Sequence, residues 1–100
     1  MYNIPIKYEI VIEKEVLIDL DKIIEMVIKD INELGDEYDK SISFIDNYFN
    51  DNIEYYLDIL KIIDPSVELS EDTLDIIHDK TMSRLSNIHP ELFREGKPLK

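Results

Sequence analysis

A long amphipathic pattern between residues 41 and 63 constrains the fold of this chain more than any other feature. Its apolar side chains recur at steps of three or four residues, the spacing that places them on one side of an α-helix. They are Ile42, Ile45, Phe49, Ile53, Tyr56, Leu60 and Ile63. Because the phase continues through Asn50-Asp51-Asn52, the pattern predicts one helix over about 41–63. The alternative is two helices with a new N-cap at Asp51 or Asn52, since both residue types favour caps over helix interiors.

A second helix is predicted before the central one, over about residues 20–34. Asp19 or Asp21 can cap its start, and Gly35 follows it as the residue type common just past a helix end. Its apolar side consists of Leu20, Ile23, Ile24, Val27, Ile31 and Leu34. Its outer face carries the mixed charge pairs Glu25–Lys29 and Lys29–Glu33, which is typical of a solvated helix surface.

A third helix is predicted over about residues 71–87, after a break at Asp64-Pro65. Ser70 is its expected N-cap, and acidic residues in the first turn favour the positive helix end. Its apolar stripe consists of Leu74, Ile77, Thr81, Leu85 and Ile88. After His89-Pro90 the sequence predicts one short helical turn with Leu92 or Phe93 on the core, and then a flexible basic tail over 95–100.

The N-terminal segment has the two-residue period of a half-buried strand. Ile4, Ile6, Tyr8, Ile10 and Ile12 alternate with mostly polar residues, which predicts a strand over 4–13. Residues 16–18 either continue this strand or fold back as a hairpin. We favour continuation, because no Asn-Gly or Asp-Gly marks a tight turn.

A lone strand has unpaired backbone groups on both edges and must pair with something. The simplest partner is a second copy, so we expect a homodimer through the strand 4–13, with a hairpin inside one chain as the alternative. The residues of this expected dimer strand are Ile6, Tyr8, Ile10 and Ile12. Taken together, the segments predict one mainly α, α+β domain over residues 1–100, with one strand, three main helices and a short C-terminal turn.

Negative charge is concentrated in one region of the chain. The net charge is −12, and between Asp36 and Lys80 thirteen acidic residues accompany three lysines, a local balance of −10. Nucleic-acid backbones and anionic lipid surfaces are bound by clusters of lysine and arginine. The charge therefore argues against direct binding of nucleic acid or membrane, and it suits a basic protein surface.

Two rows of carboxylates repeat the same helical spacing. Asp51, Glu54 and Asp58 lie at i, i+3 and i+7 on the central helix, and Asp72, Asp75 and Asp79 repeat this spacing on the next. Like charges so spaced repel by a few tenths of a kcal/mol per pair, roughly. We interpret both rows as a partner-binding surface, with a surface that only maintains solubility as the alternative.

A second apolar ridge on the central helix flanks the first acid row. It consists of Tyr55, Ile59 and Ile62. The sequence favours a ridge covered by the core, since large exposed apolar patches are uncommon on monomers. The alternative is an exposed patch beside the acids, in which case Tyr55 would join them as a partner contact.

No motif in the sequence indicates catalysis, a cofactor or a metal. Asp75, His78 and Asp79 share one helical turn, but a convincing metal site needs three or four ligands, so we expect a boundary histidine that is hydrogen-bonded to Asp75 or caps a neighbour. Residues 46–52 are rich in oxygen ligands but have no glycine at the position where a calcium loop turns. The serines at 83 and 86 have no positioned base. We therefore expect a protein that is not an enzyme.

The composition also bears on the compartment. There is no cysteine, the first residues lack the features of a signal peptide, and no apolar run approaches the roughly 20 residues that span a bilayer. We expect a cytoplasmic protein, in the host cytoplasm if a phage encodes it.

In size, acidity and an AT-rich codon bias, the chain resembles small phage-encoded anti-defence inhibitors, among them anti-CRISPR proteins and DNA mimics. That resemblance implies an inhibitor that binds and blocks a basic nucleic-acid-handling protein. Two other classes fit the acidity. One is an immunity or antitoxin protein that neutralises a basic nuclease, and the other is a viral or bacterial structural or assembly subunit.

Overall fold

A computed structural model describes residues 1–8, 12–35, 37–38, 40–61 and 68–94 of the chain. A β-hairpin is followed by helices, so the predicted mainly α, α+β class is confirmed. The elements are β1 (Tyr2–Lys7), β2 (Glu13–Ile18), α1 (Leu20–Asn32), α2 (Ile42–Ile59), α3 (Glu71–Ile88) and α4 (Pro90–Arg94). None of the helices in the described ranges is both long enough and apolar enough to cross a membrane.

The N-terminal segment is a hairpin and not one continuous strand. β1 and β2 pair antiparallel, with Tyr2 opposite Ile18 and Lys7 opposite Glu13. The predicted strand over 4–13 and its continuation to residue 18 are therefore wrong. A hairpin forms, as in the alternative, but its second strand begins at Glu13 and not at residue 16. The Tyr8 N–H donates to the Ile12 carbonyl at 3.1 Å, so the pairing extends one step further, up to residues 9–11, which lie outside the described ranges.

The expected dimer strand finds its pairing partner within the same chain. Ile6 is fully buried and lies opposite Lys14, Tyr8 is half-buried, and Ile12 is exposed. Ile10 lies outside the described residues. The edge of β1 that faces β2 is therefore not available to a second copy. This pairing neither requires nor forbids a homodimer, so the homodimer stays a prediction.

The other edge of β1 is closed by the start of α3. In an antiparallel pair, successive residues alternate between bonding the partner strand and facing outward. Since Tyr8 bonds β2, Lys7 faces outward, and its N–H donates to the Thr73 hydroxyl oxygen at 2.6 Å. The Lys7 carbonyl accepts from the Ser70 N–H at 2.8 Å and from the Thr73 hydroxyl at 3.1 Å. Pro5, also outward-facing, has no N–H to satisfy, which makes it tolerable at this edge.

The helices start where the sequence predicts and end slightly differently. The Asp19, Ser41 and Ser70 side chains accept backbone N–H bonds at the starts of α1, α2 and α3. α2 is continuous through residues 50–52, so the two-helix alternative is wrong. It ends at Ile59, four residues before the predicted end, and the expected break at 64–65 lies outside the described ranges.

The end of α1 and the position of α4 also follow the prediction closely. α1 ends at Asn32, and Gly35 after it has the positive φ of +96° that side chains other than hydrogen disfavour. α4 places Leu92 in the core and leaves Phe93 exposed. The tail at 95–100 lies outside the described residues.

α3 is the element that contacts β1, α1, α2 and α4. Its buried side chains follow one another every four residues: Thr73, Ile77, Thr81 and Leu85. The predicted apolar stripe is therefore wrong at both ends, because Leu74 is only half-buried and Ile88 is exposed. Arg84 on its outer side pairs with Asp21 of α1 through Nε–Oδ1 at 2.8 Å and Nη2–Oδ2 at 3.2 Å.

The core joins one face of the hairpin to the inner sides of the helices. Its largest fully buried side chains are Tyr56 and Phe49 of α2. The Tyr56 hydroxyl donates to the Asp30 carboxylate of α1 at 2.8 Å. Burial, together with this hydrogen bond, raises the pKa of the Tyr56 hydroxyl far above its usual value.

The two buried threonines of α3 provide a matched test of the contact that closes β1. Thr73→Val should lower the free energy of unfolding by about 2 kcal/mol, because it leaves the Lys7 N–H buried without an acceptor. Thr81→Val should change it by less than about 0.5 kcal/mol, because the Thr81 hydroxyl bonds only the Ile77 carbonyl of its own helix. Urea denaturation measures both, and equal losses would contradict the role given to Thr73.

Tyr56 predicts a loss of stability in alkaline solution. Its pKa is higher in the folded chain than the value near 10 of an unfolded tyrosine, so its contribution is complete below about pH 10 and is lost as the pH rises further. Tyr56→Phe should lower stability at pH 8 by about 1–2 kcal/mol and flatten the fall between pH 9 and 11. Tyr55→Phe is the control at a half-exposed neighbour, and an unchanged alkaline slope in Tyr56→Phe would contradict the assignment.

Candidate functional site

α2 and α3 lie side by side and run antiparallel. Near the start of α3, Glu71 shares a groove with Glu54 of α2. Two turns further along α3, His78 contacts Asp46, which lies two turns earlier on α2. The two helices that carry the predicted acid rows are therefore neighbours in the fold.

A groove of about 430 Å³ opens between these helices. Four of its lining side chains are carboxylates, and we call this feature the acidic groove: Asp51, Glu54, Glu71 and Asp75. Ile53 and Leu74 give it an apolar lining, and Asn50 adds an amide. Leu74 reaches the groove because the buried stripe of α3 runs through Thr73 one residue earlier.

The structure brings together half of the six predicted acidic residues. Asp51, Glu54 and Asp75 line the acidic groove, whereas Asp58, Asp72 and Asp79 are exposed on the same helices outside it. Glu71 is a groove residue that the predicted acid rows did not include, because the sequence pattern indicated for it only the role of a first-turn acid. Its position one helical turn before Asp75 is the signal that could have found it.

The acidic groove has no basic partner within the part of the chain that the structure describes. The ion pairs of lysine and arginine there are Lys7–Glu13 on the hairpin, at 3.5 Å, and Arg84–Asp21 between α3 and α1. The hydrogen bond from Arg84 lowers the pKa of Asp21, so that pair is charged on both sides at neutral pH. Neither of these two ion pairs involves a carboxylate of the groove.

His78 joins the two helices at the end of the acidic groove. One ring nitrogen contacts the Asp46 carboxylate, the other lies 3.4 Å from Asp79, and the ring stacks on Phe49 at a centroid distance of 5.7 Å. The expected bond to Asp75 is not the one that forms. Across the described ranges, no group of three or more histidine and carboxylate side chains is placed to hold a metal ion.

Tyr55 lies apart from the acidic groove. It lines a separate groove with the end of α1, beside Asp30, Glu33 and Tyr48. Its side chain is 54% exposed and that of Ile59 is 40% exposed, so the expectation that this ridge is covered by the core is wrong for both. Ile62, the third residue of the ridge, lies outside the described residues. Tyr55 remains an exposed aromatic residue beside acids.

Comparison with known proteins places no constraint on this site. No protein-family model, curated protein or solved structure matches the chain. The assignment of a function therefore depends on the geometry and charge described above.

The acidic groove should make the stability of the fold depend on salt. Replacing Asp51, Glu54 and Asp75 by Asn, Gln and Asn should stabilise the protein at 20 mM NaCl by about 0.5–1 kcal/mol, because like-charge contacts of a few tenths each are removed. At 500 mM NaCl, screening should reduce the difference. Urea midpoints at both salt concentrations test this, and a triple variant less stable than the parent at low salt would show that these carboxylates are structural.

Proposed function

We propose that this protein is a non-enzymatic inhibitor that binds a basic, nucleic-acid-handling protein through the exposed carboxylates of α2 and α3. The acidic groove occupies the centre of this surface, and Asp58, Asp72 and Asp79 extend it. In the bound complex, the carboxylates occupy positions that nucleic-acid phosphates would otherwise take. The partner is then blocked from its substrate without any chemical step.

The observation that carries this proposal is a surface of exposed carboxylates that, within the described residues, has no lysine or arginine counterion; only Asp79 has a histidine neighbour, His78 at 3.4 Å. Six carboxylates at i, i+3, i+7 spacing are exposed on two adjacent helices, and no lysine or arginine of the described residues pairs with them. On α1 the same chain alternates acidic and basic residues. A surface that repels itself is retained more readily when a basic partner compensates the repulsion.

The spacing of the carboxylates supports imitation of a nucleic-acid backbone. Successive turns of a helix rise about 5.4 Å, and the phosphates of a DNA strand repeat on a comparable scale. Two antiparallel helices present two such tracks with a groove between them. Lysine and arginine side chains spaced to bind phosphates would therefore meet carboxylates at similar intervals, and the long-range field would speed their encounter.

The test compares two variants with the same total charge. The groove variant carries Asp51→Asn, Glu54→Gln and Asp75→Asn, and the control carries Glu25→Gln, Glu33→Gln and Glu37→Gln, which are exposed acids on α1 and in the segment just after it. Each is used with the parent protein as bait in a host lysate at 50 and 300 mM NaCl. We expect the parent and the control to retain a basic nucleic-acid-handling protein at 50 mM NaCl, with at least tenfold less on the groove variant, roughly.

The outcomes separate the proposal from the other two classes. Retention that salt removes and that the groove variant loses supports an acidic-surface inhibitor, and the identity of the retained protein distinguishes a defence effector from a toxin nuclease. Equal loss on both triple variants would show that only the total charge matters. Equal retention on all baits, or self-association alone, would overturn the proposal in favour of an assembly subunit.

A further inference from the structure

We propose that two copies of this chain join through the outer edge of β2 to form one four-stranded antiparallel sheet. The order across the sheet is β1, β2, then β2 and β1 of the other copy. This surface is separate from the acidic groove, so the proposal stands or falls independently of the inhibitor function. It also moves the self-association expected from the sequence from β1 to β2.

Hydrogen-bond parity identifies β2 as the strand with an open edge. Because Tyr8 bonds Ile12, the even-numbered residues of β2 bond β1, and the backbone groups of Glu13, Glu15 and Leu17 point outward. Within the described ranges, no other backbone segment bonds these outward groups. On β1, by comparison, α3 already bonds Lys7 and Pro5 has no N–H to offer, so within the described ranges Asn3 is the one outward residue with an open N–H.

The side chains of β2 also leave the edge accessible. Leu17 is 55% exposed, and Val16, on the face that covers the core, is only half-buried. A two-stranded hairpin is marginally stable alone, and an edge with free donors and acceptors is a template for another strand. Adding a strand here would cover Val16 and extend the apolar layer that Ile4 and Ile18 already form.

When β2 pairs antiparallel with β2 of a second copy, the positions of its charged residues favour one register. When Val16 lies opposite its own equivalent, Glu15 lies opposite Leu17 of the other copy and Lys14 lies opposite Ile18. This two-fold register pairs residues 14–18 with no like charges directly opposite. Sliding by two residues in one direction places Glu15 opposite Glu15, and sliding in the other shortens the paired segment to 16–18. The sequence of the strand thus permits antiparallel pairing with a second copy in one register without placing like charges opposite each other.

Salt should act on this contact in the direction opposite to its effect on the inhibitor surface. Each copy carries a net charge of −12, so two copies repel each other over distance, and added salt screens this repulsion. Self-association should therefore strengthen from 50 to 500 mM NaCl. Capture of a basic partner by the acidic groove should weaken over the same range.

Charge substitutions at Leu17 test the interface and its register together. Leu17→Glu places like charges opposite Glu15 twice across the two-fold axis and should weaken the dimer about tenfold. Leu17→Lys creates two cross-strand ion pairs and should strengthen it by a similar factor. Asn3→Glu and Asn3→Lys are the matched controls: Asn3 is exposed and pairs with Leu17 across the hairpin, on the strand that does not enter the proposed interface.

The measurement is sedimentation velocity from 5 µM to 1 mM at both salt concentrations, with circular dichroism to show that each variant keeps its helices. A dimer that responds oppositely to the two Leu17 substitutions, and by less than about twofold to those at Asn3, supports the proposal. A parent protein that stays monomeric throughout overturns it. A dimer that is indifferent to Leu17, or that changes equally with Asn3, overturns it as well.

Discussion

The closure of β1 by α3 is the contact on which the arrangement of this small domain depends. A hairpin alone buries one face poorly and has two open edges. The Thr73 hydroxyl bonds both the N–H and the carbonyl of Lys7, and Ser70 adds a third bond to the same residue. One edge of the sheet is thereby joined to the helix that packs on α1, α2 and α4. Thr73 thus both bonds the edge of β1 and occupies the first position in the buried stripe of α3.

That stripe also determines how the acidic surface is built. Because α3 turns Thr73 and Ile77 toward the core, Leu74 and Asp75 point toward α2 and not into the interior. α2 in turn buries Ile53 and exposes Asp51 and Glu54 on either side of it. The carboxylates meet across the groove as a direct result of burying the apolar residues between them. The inner packing therefore fixes the outer spacing.

Periodicity allowed most of the fold to be predicted, because the spacing of apolar residues within a few turns is enough to identify a helix and its buried side. α1 and α3 begin after cap residues that local chemistry predicts, Asp19 and Ser70, and α2 begins one residue after the start of its predicted range. The hairpin was missed because the residues between its strands contain no turn motif, so nothing local distinguished a reversal from a continuation. Thr73 was missed because its bonding partner is 66 residues away in the chain.

The candidate site divides in the same way. The row positions of Asp51, Glu54 and Asp75 follow from helical spacing, so the sequence was sufficient to select them. Which rows face each other depends on how α2 and α3 are paired, and the sequence does not contain that information. The pairing of α2 with α3 places Glu71 in the acidic groove and Tyr55 outside it.

The distance of 66 residues between Lys7 and Thr73 has a consequence for synthesis. During translation the hairpin leaves the ribosome long before α3 exists, so the edge of β1 is exposed until most of the chain has been made. Local contacts within the hairpin and α1 can form early, but the core cannot close, because its central helix is among the last elements to emerge. The domain should therefore fold as a unit only once α3 has been made, and a chain truncated before α3 should be prone to aggregate through its strands.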